Sequence, residues 1–189
     1  MKKLRVWILA TLWFASVSGL STYGVLLARE AQREKDYGCW GDIQAPHALH
    51  AYLGVQGAFQ RMDRYGKGDL RYANPIDGTG LGDLYRIGGP DGCGPVLKFI
   101  DLAFARATTP ATARYGYWYV DIVGDAVTGK PYDYTNECGL CAVPAVYGKT
   151  GINTYVIDLC CSVYAKDTHG TPVRVFPDVA NEGWKRLDW

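Results

Sequence analysis

A short basic tail, residues 1–5, is followed by 23 consecutive uncharged and mostly apolar residues, Val6 to Ala28. A helix needs about 20 such residues to cross the ~30 Å hydrocarbon core of a bilayer, and this run reaches about 35 Å as a helix. The rest of the chain is therefore expected to fold on one side of a membrane. The sequence predicts a cytoplasmic tail at 1–5, a transmembrane helix at 6–28 and an extracytoplasmic head at 29–189.

A cleaved secretory signal is the alternative interpretation of the same run. Its apolar part would end near Val17, and Ser16-Val17-Ser18 would supply the small residues of a cleavage site. Apolar character resumes after Gly19, however. The run then exceeds the roughly 15 residues at which a signal's apolar part usually stops. Its length favours a retained, single-pass anchor.

Lys and Arg residues are equally numerous on the two flanks of the run, three on each side. The flanking charges alone therefore do not set the orientation. The very short tail and its α-amino charge favour a cytoplasmic N-terminus, which places the chain in the bacterial inner membrane with its head in the periplasm or outside. Small residues on one helix face predict packing against another membrane helix: Ala15, Ser18, Gly19 and Thr22.

The remaining ~160 residues are enough for one domain with a substantial core. The formal net charge is +1, so the chain lacks the strongly basic surface typical of nucleic-acid binding. We expect other membrane protein subunits and the lipid bilayer as partners, with self-assembly as a further option, and no nucleic acid.

Six cysteines follow the predicted anchor: Cys39, Cys93, Cys138, Cys141, Cys160 and Cys161. An even number in an exported domain is typical of disulfides, so a disulfide-stapled head is predicted. A zinc or iron–sulfur site built from the last four is the alternative. The vicinal pair argues against it, because two adjacent cysteines rarely ligate one ion. No metal and no cofactor is therefore expected.

Helical spacing of apolar residues predicts one helix over Ala45 to Arg64, with Pro46 in its first turn, and a short one over Pro95 to Ala105. From Arg114 the period changes to two, as in a strand. The order of long helix first and strands afterwards predicts an α+β head with a helix packed on an antiparallel sheet.

A hairpin is indicated by Gly148-Lys149-Thr150-Gly151, which lies between the predicted strands 141–147 and 153–159. Further strands are predicted at 162–165 and 173–176. With the turn centred near Lys149, a Cys138–Cys160 or a Cys141–Cys161 bridge would be geometrically feasible. The spacing does not choose between them.

An aromatic cluster occurs at the first predicted strand: Tyr115, Tyr117, Trp118 and Tyr119. Flat apolar rings suit contact with sugars, so a glycan or peptidoglycan strand is one ligand that this segment could stack on. The competing interpretation is that these residues are ordinary strand positions, some buried and some exposed.

The head resembles a family of bacterial prepilin-like, membrane-anchored proteins of unknown function, whose members share an N-terminal helix, an Asp-x-x-Gly-x-Gly loop and a C-terminal sheet. The matching residues are Leu49 to Asp63 with Gly66 and Gly68, Asp83-Leu84-Tyr85, Lys98-x-Ile100-Asp101-Leu102, Gly116-Tyr117-Trp118, Ala142-x-Pro144-Ala145-x-Tyr147-Gly148-Lys149-Thr150-Gly151, Thr154-Tyr155-Val156-Ile157, Val163-Tyr164-x-Lys166-Asp167 and Glu182-Gly183-Trp184. The resemblance implies a pilin-like head and no particular activity.

Type IV prepilins carry a cleavage Gly followed by an aromatic residue or Met, and a Glu soon after it. Here Gly19 is followed by Leu20, and the apolar run contains no acid. Because this processing motif is missing, an accessory subunit of a larger membrane complex is favoured over a pilin or pseudopilin-like subunit of a filament or secretion apparatus.

An enzyme is not expected. Residues 124–130 match most of a phosphate-binding loop, but Pro131 follows where Ser or Thr is required and no helix pattern begins there. The sequence predicts a non-enzymatic, structural role, with a membrane-anchored glycan-binding module as a further alternative.

Overall fold

The computed structural model describes residues 41–85 and 98–188. The predicted anchor at 6–28, its four helix-packing residues, Cys39 and Cys93 lie outside these ranges. Within the two described ranges, no helix combines the length and the apolar character that crossing a bilayer requires.

The first helix, α1, is helical at residues 41–60. It buries one face, which includes Ala45, Leu49 and Tyr52. The prediction of a start at Ala45 with Pro46 in the first turn was wrong, because residues before Pro46 are already helical. The helix also ends before Arg64: the N–H of Met62 bonds the carbonyl of Phe59 at 3.0 Å, which tightens the last turn.

Seven strands follow α1 in the described residues. They are β1 (Tyr117–Asp121), β2 (Gly124–Asp125), β3 (Lys130–Pro131), β4 (Gly139–Pro144), β5 (Asn153–Asp158), β6 (Val163–Asp167) and β7 (Lys185–Arg186). One five-stranded antiparallel sheet has the order β1-β4-β5-β6-β7, and β2 pairs with β3 separately. The predicted α+β class, with a helix packed on an antiparallel sheet, is confirmed for the described residues.

Both faces of the large sheet are buried. Side chains that alternate along the strands, among them Tyr117, Leu140 and Ile157, join the α1 side chains in one core. The opposite face carries Cys141 and Val156, which pack against a second layer with Phe176 and Trp184. Strand β4 lies between neighbours on both edges and is buried along its whole length.

Two smaller predictions needed correction. The predicted helix over Pro95 to Ala105 is, in the described part, only the short helix α2 (Leu102–Arg106), which begins where the Asp101 carboxylate accepts the N–H of Phe104 at 2.8 Å. The segment 173–176 forms no strand and contributes one isolated bridge between Asp125 and Phe176. Short 3-10 helices occur at Gly80–Leu84 and Pro110–Thr112.

The two ends of the sheet differ. At the end that we call the hairpin end, β4 and β5 are joined by the loop 145–152, and the described part of α1 starts beside it. A Cβ on Gly41 would lie 2.8 Å from the carbonyl oxygen of Tyr115 and 2.9 Å from that of Thr150. Helix α1 reaches the other end, where the Tyr52 hydroxyl lies 3.4 Å from the carbonyl oxygen of Gly139.

Buried Gln56 joins α1 to the segment that crosses it. Its Nε2 donates to the carbonyl of Ala73 at 2.9 Å, and its Oε1 accepts the N–H of Ala73 at 2.8 Å. Nε2 also donates to the Tyr52 hydroxyl at 2.7 Å. The Gln56 amide thus satisfies both backbone groups of Ala73, as a neighbouring strand would in a sheet, and it holds the segment around Ala73 against α1.

We predict that Gln56→Ala destabilises the head by about 2–4 kcal/mol, because buried backbone groups of Ala73 lose their partners. Chemical denaturation measures this. Gly54→Ala is the matched control on the same helix: Gly54 is exposed with open space around its Cβ position. It should stabilise the head by about 0.5–1 kcal/mol. Equal effects of the two variants would contradict the assigned role of Gln56.

Candidate functional site: an acidic cavity lined by two thiols

A cavity of about 190 Å³ opens at the end of the sheet opposite the hairpin end, which we call the cavity end. Its lining comes from the start of β4, the end of β5 and the segments next to β2 and β3: Asp125, Tyr132, Asn136, Glu137, Cys138, Asp158, Leu159 and Cys160. Pockets for drug-sized ligands usually measure about 300–1,000 Å³. This cavity therefore suits a single side chain or a small cation better than a large cofactor.

Two turns build the rim of the cavity. In the first, the Asp133 carboxylate accepts the N–H and the hydroxyl of Thr135 at 3.1 and 2.8 Å, while the N–H of Asp133 donates to the Glu137 carboxylate at 2.7 Å. In the second, the Asp158 carboxylate accepts the N–H of Cys160 at 3.0 Å. Asp and Thr stabilise such turns because their side chains satisfy nearby backbone donors.

The cavity is electrostatically negative. Three carboxyl groups line it, those of Asp125, Glu137 and Asp158, and its lining includes no basic side chain. Burial raises the pKa of Asp158, and the charge of Asp125 raises it further. The pKa of the Tyr132 hydroxyl is also raised, by burial and by the nearby carboxylates. An arriving cation would relieve this mutual repulsion.

The thiols of the cavity are not activated. Burial raises the pKa of Cys138, and the charge of Asp158 raises the pKa of Cys160. Thiolates are the reactive form, so both side chains remain neutral thiols near pH 7. The arrangement provides hydrogen-bond acceptors and negative charge, and supplies no activated nucleophile from its cysteines.

Neither predicted disulfide is formed among the described residues. Cys138, Cys141, Cys160 and Cys161 are all free in the described ranges. Cys141 lies opposite Val156 in the ladder and on the sheet face away from α1. Asp158, three residues before Cys161, pairs with Gly139. Gly139 is two residues from Cys141 along β4, a distance of ~7 Å. Because a disulfide requires Cα atoms about 4.4–6.8 Å apart, a Cys141–Cys161 bridge does not fit, whereas Cys138 and Cys160 share the cavity.

We predict that a maleimide added to the native protein, without reductant, modifies Cys160 and Cys161, which are exposed, and leaves Cys138 and Cys141 unmodified. After unfolding, all four should react. Peptide mass spectrometry locates the adducts. Cys160 and Cys161 that react only after reduction would instead show that they are held in disulfides.

The predicted aromatic surface is not formed. Tyr117 and Tyr119 are buried against α1, and Trp118 points to the opposite face of the sheet. Of the four residues only Tyr115 is exposed. Strand alternation separates the rings, and this agrees with the interpretation of the segment as ordinary strand positions.

Asp121 was missed by the sequence reasoning. Its Oδ1 is buried with no hydrogen-bond partner among the described residues, and burial raises its pKa to about 7. Gly80 packs directly on this carboxylate and has a φ of +59°, so a side chain there would both clash and be strained. The signal in the sequence that could have indicated its burial is strand alternation, which places Asp121 on the same face as Tyr117 and Tyr119.

We predict that Asp121→Asn stabilises the head at pH 8, by up to about 4 kcal/mol. A carboxyl pKa that is higher in the folded than in the unfolded chain means that stability falls as pH rises from about 4 to about 7. The variant should lack this fall, and denaturation measured across pH 4–8 tests it.

Asp133→Asn is a control of opposite sign, because hydrogen bonds from Thr135 lower the pKa of Asp133. Its contribution should be lost only below about pH 4. If the stability of Asp121→Asn depended on pH as that of the parent protein does, the raised pKa would not belong to Asp121.

No group of three or more His, Cys, Asp and Glu residues within 41–85 and 98–188 is arranged to hold a metal ion. The phosphate-loop-like segment 124–130 forms the short β2–β3 hairpin instead of a loop before a helix.

Residues 40–179 match the family described as "Protein of unknown function (DUF2950)". The chain belongs to this family. The matched region begins where the described part of α1 begins and includes β1 to β6, so the family shares the head. Neither a curated protein nor a solved structure matches the chain. The match thus covers most of the head as one region, and the description of the family names no activity.

Proposed function

We propose that this protein is a non-enzymatic, single-pass subunit of a larger complex in the bacterial inner membrane, and that its head contacts a partner subunit at the cavity end. The observation that carries the proposal is that the start of the described part of α1 and the acidic cavity lie at opposite ends of the sheet. The described part of α1 starts at the hairpin end, and the acidic cavity lies at the other end.

The amino-terminal sequence supports the membrane side of the proposal. Twelve residues, 29–40, separate the predicted anchor from Gly41. The hairpin end is thus the part of the head closest in sequence to the bilayer. The cavity end, which is reached through the length of α1 and of the strands, is directed to a partner.

The chemistry of the cavity supports a basic partner group. Its carboxylates are the natural acceptors for a lysine ammonium or an arginine guanidinium, and the volume suits one such side chain. Neutral thiols and hydrogen-bonded turns fit a recognition role better than a covalent reaction. In this proposal the cavity receives one cationic side chain of the partner.

A pilin-like or pseudopilin-like subunit is the second candidate. A helix packed along an antiparallel sheet supports it, since that arrangement is what the resemblance to prepilin-like proteins implies. In that case the partner would be a second copy of the chain.

The test is extraction of the full-length protein from its own membrane in mild detergent, followed by native mass and subunit composition. We expect co-migration with different subunits. A homopolymer would favour the pilin-like candidate, and a lone monomer would contradict both.

We further predict that Glu137→Gln with Asp158→Asn weakens co-purification of these subunits about tenfold or more. Both variants keep an oxygen acceptor for the turn N–H groups and remove two charges from the cavity. Glu182→Gln with Asp188→Asn, both exposed and outside the cavity lining, removes two charges elsewhere and should leave co-purification unchanged.

A further inference from the structure

The hairpin end carries exposed apolar side chains where loop tips are usually polar. Five large residues have between 41% and 53% of their surface exposed, and we call them the apolar rim: Ile43, Tyr115, Val146, Tyr147 and Ile152. Three of them, Val146, Tyr147 and Ile152, lie in the β4–β5 loop itself. Contiguous exposed apolar groups of this kind mark interaction surfaces.

Backbone contacts place these residues at one end of the head. The N–H of Ala145 bonds the carbonyl of Gly116, which follows Tyr115, at 2.8 Å. A Cβ on Gly41, two residues before Ile43, would touch the carbonyl oxygens of Tyr115 and Thr150. The rim thus combines the start of α1, the residues before β1 and the β4–β5 loop.

The loop that carries three of the five rim residues is well ordered by its own hydrogen bonds. The Thr150 hydroxyl accepts the N–H of Val146 at 3.0 Å and lies 3.2 Å from its carbonyl oxygen. The N–H groups of Lys149 and Thr150 both bond the Val146 carbonyl, and the N–H of Gly148 bonds the carbonyl of Gly151. Satisfied backbone groups hold Val146 and Ile152 in place without a partner.

Two carboxylates of the same end are already hydrogen-bonded within the head. The Asp42 carboxylate accepts the hydroxyls of Tyr117 and Tyr155 at 2.7 and 3.0 Å. Asp167 accepts the hydroxyl of Tyr147 at 2.9 Å. These contacts offset part of the desolvation cost when the end approaches a less polar surface.

We propose that the apolar rim rests in the interfacial layer of the lipid bilayer. The inference relies on the proposed function for the anchor. Twelve residues between Ala28 and Gly41 span up to ~40 Å at full extension, which is enough chain for the rim to return to the headgroups. Aliphatic side chains next to tyrosines suit this layer, because tyrosine has an apolar ring and a hydroxyl that stays hydrated.

The test uses the full-length chain in phosphatidylcholine–phosphatidylglycerol vesicles with a photoreactive benzoylphenylalanine in place of Ile152. Val127 is the matched control: it is an exposed aliphatic residue, 68% accessible, in the β2–β3 turn at the cavity end. After illumination, lipid adducts are counted by mass spectrometry. We expect at least five times more lipid adduct at position 152 than at 127.

Vesicle flotation distinguishes a failure of the proposed rim contact from a failure of the proposed anchor. If the chain floats with the vesicles but positions 152 and 127 label lipid equally, the rim does not rest on the bilayer and the anchor stands. An adduct between position 152 and a second copy would also overturn the inference. A chain that does not float would overturn the proposed anchor, and the inference with it.

Discussion

The head depends on the attachment of α1 to the sheet by polar contacts at both of its ends. Near its start, the Asp42 carboxylate accepts two tyrosine hydroxyls from β1 and β5. Further along, Tyr52 contacts the backbone at the start of β4, and Gln56 holds the crossing segment at Ala73. Apolar burial alone would let a helix slide on a sheet, whereas these directional bonds fix its position along the strands.

The fixed position of α1 gives the head its two unlike ends. The described part of the helix runs from the apolar rim toward the carboxylates of the cavity. Exposed apolar surface is unfavourable in water, whereas a carboxylate is unfavourable when it is removed from water, and the protein keeps the two apart. The proposed function and the proposed lipid contact both use this separation, with one end for the bilayer and the other for a basic group of a partner. The buried carboxylate of Asp121 lies outside both surfaces.

Local signals predicted part of this fold well and distant ones poorly. The Gly148–Gly151 turn and the alternation through Tyr117 and Tyr119 were correct, because each depends on neighbouring residues only. The cavity was not predicted, since Asp125, Glu137 and Asp158 come from segments that meet only through strand pairing. The start of α2 was missed because the apolar period extends upstream of Asp101, and the cap carboxylate decides where the helix begins.

Strand register decides what sequence spacing left open for the cysteines. A turn centred on Lys149 would place Cys138 directly opposite Cys160, but the ladder pairs Gly139 with Asp158 and is therefore centred between Gly148 and Lys149. The continued register puts Cys138 opposite Leu159. Cys138 and Cys141 are three residues apart along the chain, so strand alternation places Cys138 on the α1 side of the sheet and Cys141 on the other side. The two residues of this Cys-x-x-Cys segment therefore face different cores, which is not the arrangement that a shared metal ion or a bridge between them requires.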